Sequence, residues 1–534
     1  MSLNKEQPRV AIVGCGIAGI ATAIALKTRL NFHNFVIFEK GSDVGGAWRD
    51  NIYPGCSCDI PPHWYSLSTE CNPNWSEMYA SQPELLAYWK SLVVKYSVYS
   101  HVLLYTQVVR AVWDSLSSRY VITLRDTQTG EERIEIAEVL VSASGGLTVP
   151  NLPQDIPGID TFDGPWFHSA RWRTDVDLRR KRVGVVGNAA SAVQIIPKIS
   201  EDPSIEVINF CRSSNWFVEK GDNPEYSHRW QWIFAHVPGI MTMYRAWIYL
   251  RHDVNYLIFQ NAHKKLRKLT HKRLIKQIER KAPKEYLDKL IPDYPPGCRR
   301  ILVDPDYLSS LHRPNVTPTW DRIAQVLPSG VLTVSGSMIP LDILIYATGF
   351  KALELQFELI GQYGLSLSQY YGSKGGPEAY LGTAIPGFPN FFTILGPNTA
   401  TGHASAIFTE ECQINYILQL LGPLLAGKVS SIVVKQQANE RYNESLQRKL
   451  KNTVFTECRS HYHTGGKANG KIMAAWPGPV GSFWWITRYV NWFDYELRGA
   501  AIWIKERQQA RLLTWLLLIL AAFVLAIFSK TSHW

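Results

Sequence analysis

The chain has 534 residues, 46% of them hydrophobic, and a formal charge of +11 from 56 Lys and Arg against 45 Asp and Glu. That length exceeds one compact core, so two or three folded domains sharing interfaces are expected. The positive balance suits dinucleotide phosphates, acidic lipid head groups or nucleic acid, and the absence of any RNA-binding or zinc-finger signature speaks against the last.

No signal-peptide pattern precedes the first strand, because MSLNKEQPRV runs almost directly into it. From Arg9 to Lys40 the sequence reads strand, glycine turn, helix, strand. Gly14, Gly16 and Gly19 form G-x-G-x-x-G directly after an apolar strand, where glycines permit a tight turn and let backbone reach a pyrophosphate at a helix N-terminus. Glu39 ends the next strand, where a carboxylate accepts hydrogen bonds from a ribose diol. An unphosphorylated ribose such as that of FAD fits this acid. Among eight Cys only Cys56 and Cys58 are close, without a partnering His or Cys cluster. Free thiols in a reducing compartment and no metal site are therefore expected.

The strand-turn-helix-strand pattern recurs from Lys181. Gly187, Ala189 and Ala192 occupy its three fingerprint positions, within the loop and helix start that also hold Asn188, Ala190, Ser191 and Val193. Its second strand ends at Phe210-Cys211-Arg212 rather than in an acid, and a guanidinium there pairs with a 2′-phosphate where a carboxylate repels it. NADPH is the cofactor this predicts.

Trp216 to Pro295 is aromatic and basic with helical periodicity, an expected insertion. Its run HKKLRKLTHKRLIKQIERKAPKE reads as a helix with a solvated basic face, and no nucleic-acid partner is expected. Near the C-terminus, Leu512 to Phe528 is uncharged and flanked by Arg511 and Lys530. As a helix it spans roughly 26 Å, which reads as a single-pass membrane anchor carrying a cytosolic catalytic body. A buried C-terminal helix is the alternative.

Phe162, Gly164, His168 and Trp172 fit the F-x-G-x-x-x-H-x-x-x-W fingerprint of the flavin-dependent Baeyer–Villiger monooxygenases, and the chain resembles that family. Arg173 stands where the family has Pro or Asp. The resemblance continues through GGAWRDNIYPGCSCDIPPHWYS, LIYATGF at 344–350 and GFPNFFTILGPNT, up to about Phe483. It implies FAD contacts at Gly45, Gly46, Ala47, Trp48, Arg49 and Asp50. Asp59, Ile60 and Tyr65 would lie by the isoalloxazine, with Ser57 and Cys58 among the cofactor-binding residues.

In Gly297-Cys298-Arg299-Arg300, the resemblance places Arg299 where the family's Lys meets the NADPH 2′-phosphate, and Arg300 at the active-site arginine. Oxygen adding to reduced flavin carries negative charge, which a fixed cation stabilises in a water-poor pocket, with Asp59 orienting the guanidinium. Arg300 and Asp59 are thus the expected catalytic pair, while His168 is read as a linker residue tied to domain motion.

The implied fold is α/β, with two Rossmann-like dinucleotide-binding domains, a helical insertion and a C-terminal transmembrane helix. The FAD-binding domain would comprise 1–150 and 386–500, the NADPH-binding domain 151–215 and 296–385, the insertion 216–295 and the anchor 511–529. The implied reaction consumes NADPH and O2 and inserts one oxygen beside the carbonyl of a bulky apolar ketone. A hydroxylase or N/S-oxygenase with the same cofactors is the alternative, and a non-catalytic, membrane-tethered dinucleotide-binding regulator a remote one.

Overall fold

Short runs of β-branched and aromatic residues, buried on both faces, build two parallel sheets, as fully covered strands require. The computed structural model describes residues 8–503, apart from 222, 352, 461, 467–469 and 502. In the first sheet the strand order is Phe391–Thr393, Val139–Ser142, Val10–Val13, Phe35–Phe38, Val102–Leu103. Val10 pairs in register with both Phe35 and Val139. The helix Ile17–Leu30 follows the central strand and packs on the long helix Ala406–Leu425. The chain therefore returns to its first sheet after Phe391.

The second sheet has the order Val316–Thr319, Glu206–Phe210, Arg182–Val186, Ile343–Tyr346, Trp166–His168. Its helix Ala190–Ile199 begins at the second fingerprint and buries Ala192, Val193, Ile195 and Ile196. His168 is not in a free linker: it ends the edge strand, opposite Tyr346, and its Nδ1 accepts the backbone N–H of Ala170 at 3.1 Å. A third, four-stranded sheet, Glu358–Ile360 with Thr106–Asp114, Arg119–Asp126 and Glu132–Ala137, flanks the first.

Between the strands Phe217–Glu219 and Leu302–Asp304, which pair in parallel, lie the helices His228–His236, Ile240–Val254 and Lys264–Lys281. The last turns Lys264, Lys265, Lys268, Lys272, Arg273 and Lys276 to solvent. Arg267 is the buried exception, bonded to Glu457 at 2.9 Å and to the carbonyls of Ile258 and Gln260.

Two further expectations are corrected. Among the described residues no helix is long and apolar enough to cross a membrane. The longest of them, Ala406–Leu425, carries Glu410 and Glu411 and spends its apolar face on the first domain's core. The run 511–529 lies outside the described residues, and the C-terminal transmembrane helix, the membrane partner and the membrane location inferred from it are withdrawn. Nor are all thiols free: Cys298 and Cys458 form a disulfide with Cα atoms 6.0 Å apart. They lie 160 residues apart in sequence, so only tertiary folding brings them together.

Candidate active site

At the first fingerprint Gly14 and Gly19 are sterically required. Gly14 has φ +98°, and a Cβ there would meet the Ala143 carbonyl oxygen at 2.8 Å; a Cβ on Gly19 would lie 2.0 Å from the Gly14 oxygen. Gly46, at φ +52°, approaches Gly16 so closely that its Cβ would sit 2.7 Å from the Gly16 Cα. The helix Ile17–Leu30 starts at Gly16 with no side-chain cap and no acid in its first turn. Bare N–H groups and two bare backbones make an anion cradle there.

Glu39 is 4% exposed and already engaged: Oε2 accepts the Cys15 N–H at 2.9 Å, and Oε1 accepts Gly41 N–H at 2.8 Å and Arg49 Nη1 at 2.9 Å. Oε1 is thereby filled, while Oε2, with a single bond, keeps lone-pair capacity for a ribose. Burial works against the Arg49 guanidinium, but the carboxylates of Asp50 and Glu39 prevail and hold it protonated. Trp48 donates its indole N–H to the Tyr65 hydroxyl at 3.3 Å, the rings meeting edge to face. Cys58 and Ile60 are buried, and the Ile60 N–H reaches the Cys58 Sγ at 3.4 Å.

At the second fingerprint Gly187 has φ +110°, and its Cβ would meet the Ala347 carbonyl oxygen at 2.6 Å. Ala189 takes the middle position in extended backbone, φ −95° and ψ −164°, so alanine is unstrained there. Its helix also begins without a side-chain cap. Asn188 spans the loop, donating to the Ser213 carbonyl at 2.7 Å and accepting from Asn215 at 3.0 Å. Cys211 points inward, its thiol 3.2 Å from Asn209 Oδ1, and burial pushes it up to about 12. Only its neighbour Arg212 is exposed. Arg299 joins that rim: Nη1 donates to Ser213 Oγ at 2.9 Å, Nε to the Arg459 carbonyl at 2.8 Å, and the guanidinium lies 4.6 Å from the Tyr294 ring centre.

The two units meet at Gln194. Its Nε2 donates to the Ser57 carbonyl at 2.9 Å and its Oε1 accepts the Tyr53 hydroxyl at 3.0 Å. Two residues beyond Ser57, Asp59 pairs with Arg300 through Oδ2 and Nη2, and the Asp59 charge raises the guanidinium further. Both side chains stay partly open, 37% for Arg300 and 30% for Asp59, so the pair lines a cleft rather than filling a core. Ala190, Ser57 and Lys220 line a cleft together with Asp59. Sequence reasoning missed Gln194, Ser213 and Lys220, whose partners lie far off in the chain.

The family pattern for the NAD(P)-binding Rossmann-like domain matches residues 12–81. A Baeyer–Villiger monooxygenase of Pseudomonas aeruginosa is 36% identical over 513 residues, covering 94% of this chain and 94% of its own. A second, from Streptomyces coelicolor, is 33% identical over 502 residues, covering 92% and 93%. Among solved structures, OTEMO in complex with FAD and NADP superimposes with a TM-score of 0.78 at 26% identity, covering 92% of this chain and all of that one. The chain belongs to the Baeyer–Villiger monooxygenases, oxidoreductases that use FAD, NADPH and O2 to insert one oxygen atom beside a ketone carbonyl. Both uncapped, glycine-lined helix starts fit a dinucleotide, and the acid at the first against cations at the second fits FAD at one and NADPH at the other.

Proposed function

We propose that FAD lies along the Gly14–Gly19 turn, Glu39 and the Gly46–Asp50 loop, with its ring system toward Ser57–Ile60 and Tyr65. NADPH lies along Gly187–Val193, its 2′-phosphate between Arg212 and Arg299. The flavin, when bound, carries electrons from NADPH to O2. The observation that supports this reading best is the Arg300–Asp59 ion pair, whose partners come from segments 241 residues apart and meet beside the helix of the second fingerprint.

A guanidinium held there offers fixed positive charge to the oxygen that acquires negative charge, without reorganisation at the moment of reaction. Asp59 fixes the direction of that guanidinium and keeps it from swinging into solvent. The insertion excludes water: Tyr249 and His252 of Ile240–Val254 pack on Trp64, with ring centres 5.8 and 5.5 Å apart. That aromatic cover suits a bulky apolar ketone. Mass-spectrometric analysis of products from a ketone panel, with wild type and Asp59→Asn, tests the reading. Esters or lactones from wild type, and loss of coupling to NADPH in the variant, are expected. Ester yield equal in both removes Asp59 from the site.

A further inference from the structure

The first turn of helix Ala406–Leu425 runs against the 61–68 segment. Glu411 accepts hydrogen bonds from the Ser68 N–H and hydroxyl at 2.8 and 2.7 Å, and Phe408 packs beside Trp64. Its neighbour Glu410 is 5% exposed, its Oε2 is enclosed without a hydrogen-bond partner, and no cation acts on it. The hydroxyls of Ser405 and Thr409, 0% and 1% exposed, are likewise unpartnered. Ser405 occupies the N-cap position without making the cap bond. Three unpartnered polar side chains on one buried turn cost several kcal/mol unless something outside the chain satisfies them. Tyr65 belongs to that 61–68 segment, close enough for its phenol to feel the Glu410 carboxyl, and it takes the Trp48 indole N–H.

We propose that Glu410 is a redox-tuning residue of the flavin site, a buried carboxyl near Tyr65 that stabilises the charge gained by flavin on reduction. The inference rests on the reading of Trp48 and Tyr65 as flavin contacts. Burial, with Glu411 adding, pushes the Glu410 carboxyl up to about 8, so at neutral pH it keeps its proton and can donate. The groups facing this region are Tyr65, with Cys58 and Asp59 beyond it, and Glu411 on the same helix. Arg245 of the insertion and Arg29 of the first fingerprint helix act on Glu411 instead. Loss of the Glu410 proton therefore places an uncompensated negative charge by the flavin and opposes its reduction.

The test is the midpoint potential of bound FAD from about pH 6 to about pH 9.5, in wild type, Glu410→Gln and Glu410→Leu. Wild type should show a steeper fall above about pH 8 than below it. Glu410→Gln keeps shape and donor but cannot ionise, so the break should vanish. Glu410→Leu should lower the neutral-pH potential by about 30 mV or more, tenfold in equilibrium constant for a two-electron couple. A wild-type profile without the break overturns the proposal even if neither variant folds, as do identical potentials in all three proteins. FAD content separates the two readings. Retention of FAD with an unchanged spectrum in Trp48→Ala and Tyr65→Phe would undo the flavin contacts, whereas a fully loaded Glu410→Leu with unchanged potential undoes only this inference.

Discussion

Replacing Arg300 should divide the reaction into a half that survives and a half that fails. Arg300 makes its ion pair with Asp59 and sits beside, not within, either glycine cradle. In Arg300→Ala the Gly14–Gly19 and Gly187–Val193 backbones are untouched, so FAD and NADPH should still bind and the flavin should still be reduced, within about tenfold of the wild-type rate. The oxygen-inserting half loses a preorganised cation, and the freed Asp59 carboxylate turns the local charge from balanced to negative. Removal of such a group costs about 3–4 kcal/mol at the transition state, a rate loss on the order of a hundredfold or more. Reducing equivalents should then leave as hydrogen peroxide. The assay is anaerobic stopped-flow reduction by NADPH, followed by mixing with O2 and quantification of ester and hydrogen peroxide. Ester yield near that of wild type in Arg300→Ala would refute the reasoning, as would complete loss of flavin reduction.

Gly46→Val should be purified without flavin, because its Cβ would collide with Gly16 where the two backbones meet; the 450 nm absorbance per mole of protein checks this. Arg299→Ala should raise the KM for NADPH about tenfold or more and leave that for NADH nearly unchanged, since one charge-assisted contact to a 2′-phosphate is worth about 1.5–3 kcal/mol. Steady-state kinetics with both nucleotides decide. His63 is enclosed by Tyr226, Phe234 and Tyr244 with neither ring nitrogen partnered, and burial holds it down to about 3. Its folded value lies below its unfolded value of about 6.5. Its contribution is thus complete above pH 6.5 and lost as pH falls toward 3, up to about 5 kcal/mol. His63→Phe should flatten the acid-side fall of the melting temperature.

Local spacing made the glycine turns legible, because tight turns and helix starts lie within a few residues of each other. The contrast of Glu39 with Arg212 was legible for the same reason, each sitting at the end of a strand after its fingerprint. Contacts across the chain were not. Nothing near Ser57 in sequence points to Gln194, nothing near Cys298 points to Cys458, and the meeting of Asp59 with Arg300 came from family likeness, not spacing. His168 looked like a linker because a three-residue edge strand leaves too short a pattern to read. The apolar run near the C-terminus invited a membrane reading that no described helix supports. Glu410 escaped notice because a Glu in the first turns of a helix usually faces solvent, and only its burial and its unpartnered oxygen set it apart.

Oxygen insertion beside a carbonyl, driven by NADPH, is the central claim, and isotope labelling tests it most directly. The purified, FAD-loaded protein is given NADPH, an accepted ketone and ¹⁸O2, and the product is analysed by mass spectrometry alongside NADPH consumption. One labelled oxygen in the new ester or lactone, with one NADPH consumed per product, is the predicted result. An unlabelled ester, or a labelled hydroxyl on an intact ketone skeleton, would contradict it.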